Sequence, residues 1–167
     1  MAIAREGGEP IDLTFFVCNS DTDLYAAVEV DHDLGVLPSE FFLFGLQLTT
    51  CDPSPTSCPF QLDDNSAVRW VNGLIEQFDE WRRSEPTAFE SFLDVSHGGN
   101  DEIVRALSTG DGFTRVEMSK PLTTGDQFDH DLASLGQVIA SMTLQFNFQG
   151  DPSHYFAGTG AFIYDVR

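Results

Sequence analysis

Val138-Ile139-Ala140-Ser141-Met142-Thr143-Leu144-Gln145-Phe146-Asn147-Phe148 sets Val138, Ala140, Met142, Leu144, Phe146 and Phe148 on one side and Ser141, Thr143, Gln145 and Asn147 on the other. A period of two belongs to a pleated strand with one face in the core and one in water. Leu24, Ala26, Val28 and Val30 repeat it, as do Phe42, Phe44, Leu46 and Leu48. Five or more such strands, parted by turns of Asn, Asp, Gly and Pro and lacking any strand-helix-strand rhythm, predict an all-β antiparallel sandwich.

The middle of the chain allows two readings. Leu74, Ile75, Phe78 and Trp81 fall at i, i+1, i+4 and i+7, the spacing of a helix face over 71–83, with Gly73 weakening its start and Pro86 ending it. Val68, Trp70 and Phe78 suit a β-ribbon equally well. One domain over 1–167 is expected, with one short helix or ribbon inserted mid-chain and residues 1–10 as a loose N-terminal segment.

Hydrophobic residues make up 41% of the 167 residues and include 15 Phe, which argues for a phenylalanine-packed interior and against disorder. Against 27 Asp and Glu stand 8 Lys and Arg, among them a single lysine, Lys120, giving a formal charge of −19. Nucleic acid and anionic membrane surfaces are repelled by such a chain, whereas divalent metals, cationic partners and neutral ligands are not. The acid-rich, lysine-poor composition suits either a halophilic protein, kept hydrated by its carboxylates at high salt, or an ordinary acidic secreted domain. No apolar run reaches membrane-spanning length, so membrane insertion is not expected, and Met1 to Gly8 lacks the basic and apolar regions of a signal peptide. Cys51 and Cys58 flank a proline-rich loop and are expected to form a local disulfide in an oxidising compartment. Cys18, alternating with Phe16, is expected to be a small buried hydrophobe.

Thr114-Arg115-Val116-Glu117-Met118-Ser119-Lys120-Pro121-Leu122-Thr123-Thr124-Gly125-Asp126, closed by Asp129, reads as a strand that Pro121 ends, followed by an acidic turn in which Gly125 is free to take a positive φ. This stretch resembles the late motif of DOMON domains and their relatives, the haem-binding domain of ethylbenzene dehydrogenase type and the family-nine carbohydrate-binding modules. Asp12 to Val17 and Asp21 to Asp31 resemble the two opening strands of that superfamily. The late loop carrying His154 and the closing strand, Ala161 to Val166, match in order, and Cys51 to Gly112 lies outside the likeness. The resemblance implies an immunoglobulin-like sandwich that binds a ligand without catalysis, in an extracytoplasmic setting.

In the haem-binding relatives a late histidine pairs with a methionine or lysine on another segment. That implies His154 with Met118 or Lys120 as axial ligands of a haem b, although Met118 and Lys120 share one face of one strand. Asp31-His32-Asp33 and Asp129-His130-Asp131 occupy turns. With Asp21, Asp23 and Asp126 they supply hard oxygens for one calcium ion if the loops converge, and are otherwise solvated acidic loops. Trp70, Trp81 and Tyr155 are the aromatics expected to offer flat faces to a sugar ring, against the commoner role of filling the core. Glu117 is expected to pair with Arg115 or with a cation on a neighbouring strand. Val95 to Asp101 is a turn by composition. No nucleophile elbow, phosphate-binding loop or zinc-protease motif is present, so no catalytic residue is assigned. Three functions remain open: calcium-assisted binding of a neutral glycan, electron transfer through haem b, and a structural domain that meets only protein neighbours.

Overall fold

The computed structural model describes residues 2–3, 11–33, 41–49, 61–71, 74–85, 88–147 and 155–167. In chain order the strands are β1 (Ala2–Ile3), β2 (Ile11–Asn19), β3 (Asp23–Val30), β4 (Phe41–Thr49), β5 (Gln61–Val71) and β6 (Leu74–Glu85). They continue as β7 (Ala88–Leu93), β8 (Val104–Gly110), β9 (Phe113–Pro121), β10 (Gln137–Asn147), β11 (Tyr155–Gly158) and β12 (Phe162–Asp165). A 3-10 turn at Asp94–His97 follows β7, and a four-residue helix α1 (Leu132–Leu135) precedes β10.

Two antiparallel sheets result: β1-β2-β3-β9-β8, and β11-β10-β4-β5-β6-β7 with β12 also paired to β10. Their facing sides hold the core. Leu24, Ala26, Val28, Val30, Val116 and Met118 point inward from the first sheet, and Phe42, Phe44, Leu46, Leu48, Met142 and Leu144 from the second, all buried. Phe15 of β2 stacks on Phe44 of β4 across the gap, with ring centroids 6.4 Å apart. Each buried side chain of this size contributes about 1.5–3 kcal/mol, which makes the apolar interface the main cohesive force between the sheets.

The mid-chain segment is a ribbon. β6 pairs along its whole length with β5 and continues into β7. Leu74 is 65% exposed and Phe78 lies on the outer face beneath Arg69, 4.5 Å from its ring centroid, so the four apolar residues that suggested a helix face are divided between two sheet faces. The inward set includes an acid, Asp79, only 2% exposed, and that hides the period of two from a hydropathy reading.

Two other expectations change. Cys18 is exposed, because Phe15 and Val17 take the inward phase of β2 and leave Phe16 and Cys18 outside. Adjacent Phe15 and Phe16 had allowed either phase. Part of the N-terminal segment expected to be loose adds an edge strand, Ala2 pairing with Asp12 and Ile3 with Ile11. Cys51, Cys58 and His154 lie outside the described residues. The end of β9 follows its sequence: Pro121 is its last residue, the Leu122 N–H donates to the Thr22 carbonyl at 2.8 Å, and Gly125 has φ +76°.

Phe44→Ala should lower the unfolding free energy by about 3–5 kcal/mol in a urea titration, whereas Phe156→Ala, at a side chain 63% exposed, should change it by about 0.5 kcal/mol or less. Equal losses would contradict the assigned core.

Candidate functional site

Lys120 occupies the last inward position of β9 before Pro121, continuing the row Thr114, Val116, Met118. Alternation therefore drives a lysine into the interior, where it is 1% exposed. Its Nζ donates to Asp64 Oδ1 at 2.7 Å and Asp79 Oδ1 at 3.1 Å, on β5 and β6 of the opposite sheet, and to Asp129 Oδ1 in the connection after β9. Asp64 also accepts the His130 backbone N–H through Oδ2 at 3.4 Å. One ammonium thus joins both sheets to an end loop.

Burial alone disfavours the charged lysine, yet Asp64, Asp79 and Asp129 outweigh it and hold the Lys120 pKa above the ordinary lysine value. Asp79 responds in the opposite sense for a carboxylate. Burial pushes it up to about 8, Lys120 pulls it back, and Asp64 and Asp129 push it up again. Asp79 is thereby held toward its protonated form at neutral pH, beside the ammonium it shares with Asp64 and Asp129.

Among the described residues two connections meet at this end of the sandwich, 94–103 between β7 and β8 and 122–131 between β9 and α1. Asp126 locks them together by accepting the Asn100 N–H at 2.6 Å and the Phe128 N–H at 2.9 Å. Gly99 permits that approach: a Cβ there would lie 2.6 Å from Asp126 Oδ2 and 2.9 Å from Phe128 Cδ2. Carboxylate oxygens of Glu102, Asp126 and Asp129 lie within 4.8 Å of one another. Asp79 Oδ2, Glu102 Oε2, Asp129 Oδ2 and both oxygens of Asp94 are buried without a hydrogen-bond donor. Asp94 is 1% exposed, and burial, then Asp129, pushes its pKa up to about 7.

Beside these acids the rings of Trp81, Phe92, His97 and Phe128 form one cluster. Trp81 stacks on Phe92 at 5.9 Å, and His97 meets Phe92 edge-on at 4.6 Å and Phe128 at 6.4 Å. With Leu93 and Asp94 they line a pocket of about 280 Å³. A larger groove of about 410 Å³ crosses the outer face of the five-stranded sheet, where Phe16 and Tyr25 are exposed near the Arg115–Glu117 ion pair, 2.7 Å long. The strand pairing expected for Glu117 is therefore made with Arg115.

The predicted site residues separate. Of the three aromatics, Trp81 alone lies at the acidic end. Trp70 stacks on Phe42 and Tyr155 on Phe146, and the register Tyr155–Phe146–Phe42–Trp70 makes them one aromatic row far along the same sheet. Trp70 lies six positions beyond Asp64 along β5, about 20 Å of strand. The seven aspartates of the calcium reading do not converge. Asp31 and Asp33 follow the far end of β3, Asp21 lies in the turn before it and Asp23 is its first residue, and Asp131 caps α1 by accepting from Ser134 and Thr123. Asp126 and Asp129 do come together, with Glu102, which no motif had marked.

Met118 and Lys120 do not fit the haem reading. An amine ligates iron through a lone pair, and that of Lys120 carries a proton held among three aspartate side chains; Met118 is 3% exposed inside the core. His154, the other residue of the haem reading, lies outside the described residues. Among the described residues no helix is long and apolar enough to cross a membrane.

Lys120→Met leaves Asp64 and Asp129 buried without their cation and should cost about 3–5 kcal/mol, measured by urea unfolding at neutral pH. Asp79 has a folded pKa of about 8 against an ordinary 3.8, so its stabilising contribution is complete below 3.8 and is lost as pH rises through about 8. Paired unfolding curves should therefore show Asp79→Asn gaining on the wild type across that window, and a constant difference would contradict the protonated Asp79. Compared with known proteins, the chain matches no protein-family model and no curated protein sequence.

Proposed function

We propose that this chain is a non-catalytic, extracytoplasmic binding domain that takes the end of a neutral glycan in the pocket of Trp81, Phe92, His97, Phe128 and Asp94. The observation that carries this reading is Asp94: a side chain 1% exposed, with neither carboxylate oxygen hydrogen-bonded, on a residue that lines the pocket together with Trp81, Phe92, Leu93, His97 and Phe128. A buried acceptor without donors costs about 1–3 kcal/mol, more when charged, and a ligand with paired hydroxyls removes that cost. Sugar rings supply adjacent hydroxyls on one edge and a C–H face that lies against aromatic rings. The pocket, about 280 Å³, is at the small end of the usual range of about 300–1,000 Å³, which suits a terminal sugar rather than a threaded chain. A formal charge of −19 disfavours phosphorylated and acidic ligands and leaves neutral ones. The likeness of 114–129 to DOMON domains and family-nine carbohydrate-binding modules supports binding over catalysis, although fold likeness alone names no ligand.

Glycan screening followed by calorimetry tests it. Trp81→Ala and Asp94→Asn should each weaken binding of a neutral glycan about tenfold or more, close to 1.4 kcal/mol, while Trp70→Phe and Tyr155→Phe leave it unchanged. Binding that survives Trp81→Ala but is lost in Phe16→Ser with Tyr25→Ser would put the ligand on the outer groove of the five-stranded sheet and overturn this assignment. A folded protein that binds no glycan would leave the structural reading in its place.

A further inference from the structure

We propose that Glu102, Asp126 and Asp129, backed by Asp94, form a binding site for one calcium ion that ties the 94–103 connection to the 122–131 connection. The proposal does not rest on the glycan reading. Carboxylates from two connections bring oxygens of Glu102, Asp126 and Asp129 within 4.8 Å of one another, a spacing that mutual repulsion opposes and that a cation beyond the Lys120 ammonium on Asp129 Oδ1 would relieve.

A second observation is independent of that clustering. Asp94 is 1% exposed and neither of its oxygens receives a hydrogen bond, and the largest charge effect on it comes from Asp129. The Asp129 side chain is itself 1% exposed, and its Oδ2 is unpartnered while its Oδ1 serves Lys120. Glu102 Oε2 is also buried without a donor. Buried carboxylate oxygens with unused lone pairs, among them Glu102 Oε2 and Asp129 Oδ2 on members of the cluster itself, are what an oxygen-seeking cation requires.

Local structure holds the ligands in place. Asp126 is fixed by the Asn100 and Phe128 backbone N–H groups, each of which leaves its acceptor oxygen a free lone pair. Asp129 is fixed by Lys120, so a single carboxylate bridges the buried ammonium and the proposed ion. Oxygen-only ligands select a hard cation, and carboxylates on two connections suit the irregular, six- to eight-oxygen shell of calcium better than the strict octahedron of magnesium. Neither Asp21 nor Asp31 belongs to this set.

The test uses the full chain, stripped with a chelator and held in about 0.15 M salt to suppress diffuse binding to the acidic surface. Calcium at about a hundredfold excess over its dissociation constant should raise the melting temperature by about 5–10 °C, with one ion bound by calorimetry. Terbium should bind in its place and emit on excitation of the indole of Trp81, and calcium should quench that emission by displacement. Glu102→Gln keeps the shape of a side chain whose Oε2 makes no hydrogen bond, and should abolish the shift and the terbium signal; Asp126→Asn should do the same. Asp21→Asn and Asp31→Asn should retain both. No melting shift with no displaceable terbium signal would overturn the site, as would several weak ions unaffected by Glu102→Gln. An equal response to magnesium would overturn the choice of calcium. Because the readouts contain no sugar, loss of this site and loss of the glycan reading are separate results.

Discussion

The ammonium of Lys120, belonging to the only lysine in the chain, is shared by three aspartates in the interior of a protein whose formal charge is −19. It enters from the five-stranded sheet, while Asp64 and Asp79 enter from the other. Replacing such a group by apolar residues is often neutral or stabilising, so its presence is not explained by cohesion, which the Phe15–Phe44 layer supplies. What the ion cluster fixes is position. Asp129 can reach Lys120 only if the connection after β9 folds back over the sheet end, and that fold carries Asp126 against Asn100 and Phe128 beside Trp81.

The carboxylates at this end outnumber the ammonium they share, and the excess is divided by environment. Asp79 is pushed toward neutrality by burial, and Asp64 is completed by Lys120 and a backbone N–H. Asp131 moves the other way, its pKa lowered by the hydroxyls of Ser134 and Thr123 as it caps α1. Asp94, Glu102 and Asp129 are left with oxygens that no donor reaches. The proposed binding role rests on that imbalance: these groups are held in the fold although they do not satisfy one another, and the aromatic pocket lies beside them.

The two-layer β architecture was legible because the central strands alternate cleanly. Val138 to Phe146, Leu24 to Val30 and Phe42 to Leu48 all bury the residues that period two selects. Pro121 and Gly125 announced the end of β9 by backbone chemistry alone. The mid-chain ribbon was ambiguous for a physical reason: its inward positions include Asp64 and Asp79, and an acid at a core position looks like a solvent position until its cation is found. That cation is on a different sheet, 41 residues from Asp79 and 56 from Asp64, and nothing local announces it. The aspartates of the turns were conspicuous but are placed at both ends of β3, whereas Glu102 was inconspicuous and is placed beside Asp126 and Asp129. Aromatic identity misled in the same way, since Trp70 and Tyr155 belong to a row stacked on buried phenylalanines.

Because the chain contains one lysine, labelling that residue type with nitrogen-15 yields a single side-chain resonance, and following it through alkaline titration reads the state of Lys120 directly. A slowly exchanging ammonium that stays protonated past the ordinary lysine value of about 10.4, until the protein unfolds, is the predicted result. An amine that titrates at or below that value in the folded protein, with the exchange behaviour of a solvent-exposed side chain, would contradict the buried junction on which this account depends.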